Sequence, residues 1–61
     1  MNKIKKTRKN QNLTLKDLSK LTNISISYIS ELETGSAKNP TKETMDKIAA
    51  ALNSTVKEIF Y

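Results

Sequence analysis

Apolar residues along this chain recur at the spacing of helices rather than of strands. The clearest stripe follows the i, i+3, i+4, i+7 pattern of an amphipathic helix. It consists of Met45, Ile48, Ala49 and Leu52. Alternation of apolar and polar residues, as in a strand, is brief wherever it occurs, and residues 24–29 could be interpreted as such a strand. Because no other segment offers a partner strand for the backbone there, we expect a helix in that region too. The pattern predicts an all-α fold.

The first third of the chain contains two predicted helices. Residues 2–11 indicate a polar, basic first helix. A second helix starts after Thr14, which together with Asp17 has the spacing of a capping box, and ends at about residue 22. Asn23 follows, and asparagine is a common substitute for glycine where the backbone must be left-handed.

Two further helices are predicted in the middle of the chain. The third covers about residues 26–33, between a Ser25 cap and a stop at Gly35. The fourth, which carries the apolar stripe, is capped by Thr41 and ended by Asn53.

A short fifth helix is predicted at the end of the chain. Thr55 and Glu58 have the spacing of a second capping box. The side chains expected to face inward are Val56, Ile59 and Phe60. Five short helices joined by short loops predict one compact helical bundle that spans residues 1–61 as a single domain.

The composition excludes most catalytic and metal-binding chemistry. The 61 residues include no His, no Cys and a single Gly. The chain therefore lacks Ser–His and Cys–His catalytic pairs, thiolate and imidazole metal ligands, and a Gly-rich phosphate loop. We expect no enzyme, no metal, no cofactor and no small-molecule ligand.

The charge favours an anionic partner. Eleven Lys and Arg residues against six Asp and Glu residues give a formal net charge of +5. On charge alone, a solvated basic surface remains an equally good explanation. The longest apolar run, residues 48–52, is much shorter than the roughly 20 residues of a membrane span, and no targeting segment follows Met1. We therefore expect a soluble, cytoplasmic protein.

Residues 15–34 have the spacing of a helix-turn-helix, whose second helix protrudes and can enter the major groove of DNA. The two helices would be held together by three apolar side chains, Leu18, Ile29 and Leu32. The small Ser19 would let them cross closely. Asn23 would form the turn, and Ile24 would fill the space beneath it.

The chain resembles the XRE-type family of phage and bacterial helix-turn-helix regulators, which includes repressor and Cro proteins. The resemblance covers roughly residues 4–60. Its motifs are LTLKDLS at 13–19, NISISYISELETG at 23–35, NPT at 39–41 and KIAAAL at 47–52. It implies a five-helix, lambda-repressor-like domain that binds operator DNA. It also implies a cytoplasmic protein that is encoded by a bacterium or a phage.

Three positions depart from the family pattern. Leu15 stands where many members carry Gln, which removes a polar contact often made near the DNA. Asn23 replaces the usual Gly of the turn, and Thr22 stands at a commonly apolar position.

The resemblance implies that the N-terminal part of the third helix reads base edges. On a helical wheel the side chains opposite or beside the inward-facing Ile29 are chemically suited to this. The candidate base-reading residues are Ile26, Ser27, Ser30 and Glu31. Serine donates or accepts, glutamate accepts from cytosine N4, and isoleucine packs on a thymine methyl group. A merely solvated face is the alternative, and for Ile26 so is a partial role in the core.

Phosphate contacts are expected at the margins of the motif. Thr14 and Lys16 begin the second helix, where free N–H groups favour an anion. The full set of candidate phosphate-contacting residues is Thr14, Lys16, Ser25, Tyr28, Lys38 and Asn39. The Tyr28 ring has the alternative of simply covering the helix surface. Four lysines of the first helix are weaker candidates: Lys3, Lys5, Lys6 and Lys9.

Arg8 and Glu33 are expected to form a structural ion pair. Arg8 lies one turn after Ile4 on the inner stripe of the first helix, and Glu33 lies close to the inward direction of the third. Two opposite charges that face one small core should pair, because an unpaired charge there is costly to desolvate. Family members resemble this chain in carrying an Arg–Glu pair at these positions.

Two functions from different classes remain open. The first is a sequence-specific transcriptional regulator, most simply a repressor, that binds double-stranded DNA as a homodimer on a pseudo-palindrome. The resemblance places self-association near the last helix, where Phe60 and Tyr61 end the chain and one of them is expected to be exposed. The second is a protein-interaction module, such as an antitoxin or an adaptor. A salt titration separates them, because DNA binding weakens steeply with salt.

Overall fold

Hydroxyl side chains start four of the five helices of this computed structural model, which describes residues 2–61. The helices are α1 Ile4–Asn10, α2 Leu15–Thr22, α3 Ile26–Thr34, α4 Lys42–Ala51 and α5 Val56–Phe60. Each of the four capping hydroxyls accepts a hydrogen bond from the backbone N–H three residues later. The capping residues are Thr14, Ser25, Thr41 and Thr55. No strand occurs in the described part of the chain, which confirms the predicted all-α fold.

The predicted capping boxes differ in outcome. At α2 both halves form, because the Thr14 N–H also donates to the Asp17 carboxylate at 2.9 Å. At α5 only the Thr55 hydroxyl bond forms, so the second capping box is wrong in its reciprocal half. There the Glu58 carboxylate instead lies within hydrogen-bond distance of the hydroxyls of Thr55 and Ser54.

Left-handed residues end the helices and shape the loops. Asn23 has φ 61° and follows α2, and Gly35 has φ 88° and follows α3. The other left-handed residues are Asn12, Asn39 and Asn53. Asparagine tolerates this conformation better than most residues, so all four serve where glycine would otherwise be needed.

The core lies where the inner faces of all five helices meet. Its buried apolar residues are Ile4, Leu18, Ile29, Leu32, Ile48, Ala49, Leu52 and Ile59. Phe60 and Val56 pack against this cluster from its edge, half-buried. Met45 was expected on the inner stripe but is only half-buried, because the first turn of α4 borders a surface groove near the C-terminus rather than the core.

Polar side chains of the N-terminal segment join α1 to distant parts of the chain. The Asn2 side chain accepts from the Ile4 N–H and donates to the Leu32 carbonyl at 2.8 Å, so it joins the start of α1 to the last turns of α3. The Gln11 amide donates to the Leu52 carbonyl at 2.6 Å. These bonds hold α1 at both ends. The helix itself, Ile4–Asn10, is shorter than the predicted range of residues 2–11. None of the helices in residues 2–61 has the length and apolar content to cross a membrane.

The capping box of α2 is expected to make the stability of the fold depend on pH. Hydrogen bonds from the Thr14 backbone N–H and from its side chain, with smaller contributions from Lys20 and Lys16, lower the pKa of the Asp17 carboxyl. A carboxyl whose pKa is lower in the folded state stabilises the fold above the unfolded-state pKa of about 3.9. This stabilisation is lost as the pH falls through the lower, folded-state value.

We therefore expect thermal melts to show that Asp17→Asn lowers the melting temperature at pH 7, and that the difference from the unmutated chain shrinks as the pH falls below about 4. Lys57→Ala, which removes an exposed charge that forms no ion pair, is the surface control and is expected to lack this pH dependence near pH 4. A difference that is constant from pH 7 to pH 2 would contradict the role of the carboxylate.

Candidate nucleic-acid interface

The turn between α2 and α3 is held by side chains on the second half of α2. The Ser19 hydroxyl donates to the Ile24 carbonyl. The Thr22 hydroxyl donates to the Leu18 carbonyl at 2.8 Å and accepts from the Ile24 N–H at 3.2 Å. With Asn23 left-handed, these bonds fix where α3 begins. Thr22 is thus buried without an unsatisfied hydroxyl, which accounts for a polar residue at that position.

A buried ion pair fixes the other end of α3. Arg8 Nε lies 2.8 Å from Glu33 Oε2, Arg8 Nη2 lies 3.3 Å from Oε1, and Arg8 Nη1 donates to the Leu13 carbonyl at 2.7 Å. The two side chains are only 8% and 5% exposed. A two-pronged guanidinium–carboxylate pair has a defined geometry. It therefore sets the orientation of α3 relative to α1.

The outward side of α3 carries polar side chains that the fold does not use. Ile29 and Leu32 point into the core, whereas Ser27 and Glu31 are exposed. Ser30 is half-buried at the edge of this face. The side-chain hydrogen bonds found in residues 2–61 do not include these two serines or Glu31. Their hydrogen-bonding capacity is therefore available to a ligand.

Ile26 occupies the N-terminal tip of the same helix. Its side chain is 44% exposed and is not one of the buried core residues. This exposure favours a position on the outward face of α3 over a partial role in the core. The structure presents an apolar side chain beside the polar face formed by Ser27 and Glu31.

The predicted phosphate-contacting residues are on three separate segments around α3. Thr14 and Lys16 are exposed at the start of α2, and Ser25 is exposed just before α3. Lys38 and Asn39 are exposed in the loop before α4. All five can be reached from solvent on the segments that border the helix-turn-helix.

Tyr28 differs from the other phosphate candidates. Its side chain is half-buried and packs against the core, so its ring covers part of the helix surface. A phosphate contact by its hydroxyl stays a prediction. The Ser25 hydroxyl already accepts from the Tyr28 N–H, and it keeps its own proton for donation to an anion.

Ion pairs leave the positive charge unevenly distributed. On α4, Lys42 pairs with Asp46 at 3.2 Å and Lys47 pairs with Glu43 at 3.5 Å, so this helix is internally balanced. The lysines of residues 2–61 that form no ion pair lie elsewhere. They are Lys3, Lys5, Lys6, Lys9, Lys16, Lys20, Lys38 and Lys57. Because Glu58 balances Lys57 on α5, the excess positive charge lies at and just before α1, on α2, and in the loop before α4. Within residues 2–61 no cluster of metal-ligating side chains occurs.

Comparison with known proteins agrees with this arrangement. The sequence profile of a helix-turn-helix family of the XRE type matches residues 4–59. The chain belongs to this helix-turn-helix family. It is a DNA-binding regulator of the XRE type, and members of this family are not typically enzymes. No curated protein and no solved structure gave a significant match.

Several residues that hold the helices of this fold in place were not predicted from the sequence. Asn2 holds the C-terminal part of α3 from a position thirty residues away, and Gln11 holds the end of α4 from forty-one residues away. Thr22 was noticed only as a departure from the family pattern. Its one available signal was that a polar residue facing a core must find hydrogen-bond partners nearby.

Proposed function

We propose that this helix-turn-helix domain regulates transcription, as a repressor, by inserting α3 into the major groove of an operator. The observation that carries the proposal is the outward face of α3. Ser27, Ser30 and Glu31 offer donors and acceptors that the fold does not use, and Ile26 adds one apolar contact. A helix with these short side chains approaches base edges closely, which direct readout requires.

The backbone of the DNA is contacted by the residues that surround α3. The N–H groups of Leu15 and Lys16, in the first turn of α2, bond no group within the described residues and point away from the helix. Lys16 on α2 and Lys38 in the loop after α3 add positive charge, and the hydroxyls of Thr14 and Ser25 add donors. These contacts set position and affinity but carry no sequence information.

Lys38 provides a test of the backbone contacts. We expect Lys38→Ala to weaken specific and random duplex about equally, and to reduce the slope of log affinity against log salt by about one unit. The matched control is Lys42→Ala, which removes the same charge from an exposed position on the internally balanced helix α4. Fluorescence anisotropy over a salt series measures both. Equal effects of the two variants would contradict a phosphate contact by Lys38.

Dimerisation on DNA is proposed at the C-terminal edge. Tyr61 is 87% exposed, whereas Phe60 packs against the core. Tyr61 borders a groove of about 540 Å³ that Met45, Leu32 and Pro40 also line. Two chains related by a two-fold axis bind half-sites whose centres lie about one helical turn apart. Footprinting on operator DNA is expected to show two such half-sites, and protection of one isolated half-site would contradict the dimer.

The competing proposal, a protein-interaction module, has less support. Hot spots of protein interfaces are enriched in large aromatic side chains and arginine. The outward face of α3 carries neither, and Ile26 is its one large apolar residue. The test is binding to random duplex at increasing salt. Steep weakening supports DNA binding, whereas salt-independent or absent binding to DNA supports the interaction module.

A further inference from the structure

The side-chain inventory of α3 restricts which bases it can read. The helix, ISYISELET, contains no Arg or Lys, the residues that pair with guanine, and no Asn or Gln, the residues that pair with adenine. Serine is compatible with several bases and discriminates weakly. Of the side chains on its outward face, only Ile26 and Glu31 have a strong preference, and both prefer pyrimidines: thymine for its methyl group and cytosine for its amino group.

Ile26 is placed to make an apolar contact with a base. It is the first residue of α3, its side chain is 44% exposed, and it lies outside the cluster of buried core residues. An exposed isoleucine has no hydrogen-bonding atom, so it cannot distinguish the O4 acceptor of thymine from the N4 donor of cytosine. The one feature of a pyrimidine in the major groove that it can recognise is the methyl group on C5.

We propose that Ile26 recognises the C5 methyl group of a pyrimidine rather than the identity of the base. Thymine and 5-methylcytosine are then both accepted at this position, whereas uracil and cytosine are both disfavoured. The inference rests on the proposed function, since it requires α3 to lie in the major groove. It adds that cytosine methylation within an operator strengthens binding at this position.

The experiment uses pairs of duplexes that differ by one methyl group. A binding site is first selected from a randomised duplex pool. Each thymine of a half-site is then replaced by deoxyuridine, and in a second pair of duplexes the same position holds 5-methylcytosine or cytosine opposite guanine. Burying one methyl group corresponds to about fourfold in affinity. We expect one position at which both methylated duplexes bind about fourfold tighter per half-site than their unmethylated partners.

Three variants assign the effect to Ile26. Ile26→Ala is expected to remove both methyl effects, and Ile26→Val is expected to keep most of them. Leu21→Ala is the matched control, because Leu21 is an even more exposed apolar residue, at 61%, on the C-terminal half of α2. It is expected to keep the full fourfold difference. Circular dichroism melts confirm that each variant is folded.

The outcomes separate this inference from the proposed function. If a site is selected and binding is steeply salt-dependent, but uracil replaces thymine without loss at every position, the methyl inference is wrong and the proposed function stands. The inference is also wrong if Ile26→Ala keeps both methyl effects. If no site is selected and random duplex is not bound, the proposed function fails and the inference fails with it.

Discussion

Replacing Arg8 by alanine is expected to lower the free energy of unfolding by about 3 kcal/mol. The carboxylate of Glu33 is only 5% exposed and would lose both of its contacts to the guanidinium. The Leu13 carbonyl would lose its donor at the same time. Breaking one side of a buried pair costs more than the pair contributes, because the remaining charge stays desolvated. Urea denaturation followed by circular dichroism measures the change.

The expected loss is large for a domain of this size, whose stability is of the order of 5 kcal/mol. A double variant with methionine at both Arg8 and Glu33 is the informative control. It removes both charges together, so we expect it to recover much of the lost stability. Arg8→Ala that unfolds at the same urea concentration as the unmutated chain would contradict the buried pair.

Replacing Glu31 by glutamine is expected to change the preferred base at one position of each half-site from cytosine to adenine. A carboxylate accepts from the N4 amino group of cytosine, whereas a glutamine amide pairs with N6 and N7 of adenine. Each contact corresponds to about 1–3 kcal/mol of discrimination. In a dimer the two half-sites contribute twice, so the expected change in preference is large. Competition binding with operators that differ at this position measures it.

Two controls accompany Glu31→Gln. Glu58→Gln removes the same charge from an exposed position on α5 and is expected to leave base preference unchanged. Glu31→Ala is expected to lose the preference for cytosine without gaining one for adenine, and to bind random duplex slightly more tightly because a negative charge near phosphates is removed. Unchanged base preference in Glu31→Gln would place Glu31 outside the interface.

The order and ends of the helices were predictable because their determinants are local. The hydroxyls of Thr14, Ser25 and Thr41 each accept from the backbone N–H three residues later, so each helix start depends on only a few neighbouring residues. A left-handed asparagine such as Asn23 determines a stop in the same way. The pairing of Arg8 with Glu33 was also predictable in principle, because two opposite charges on inner faces of one small core have few other partners.

What the sequence could not reveal are contacts that depend on the tertiary arrangement. Asn2 and Gln11 are ordinary surface residues by type, and only the assembled fold brings them to the carbonyls of Leu32 and Leu52. Met45 fits the apolar stripe of α4 by spacing, yet the inner stripe leaves the core at that end of the helix. Helical periodicity gives the direction in which a side chain points but not how far the neighbouring helices extend.

In the candidate site, too, local features were predictable from the sequence and tertiary contacts were not. The residues that could be assigned to the outward face of α3 followed from the direction of Ile29, which is a local property of the helix. The exposure of Ile26 and the packing of Tyr28 against the core required the neighbouring elements. The identity of the bases depends on the DNA as well as on the chain, and is therefore a proposal to be tested by binding.

The central claim is that α3 reads the operator, and selection from a randomised duplex pool tests it most directly. The unmutated chain and a double variant, Ser27→Ala with Glu31→Ala, are taken through the same selection. We predict that the unmutated chain enriches a pseudo-palindrome with half-sites about one helical turn apart. The variant, folded and with its salt-dependent binding to random duplex retained, is predicted to lose that enrichment. Enrichment of the same site by both proteins would contradict reading by α3.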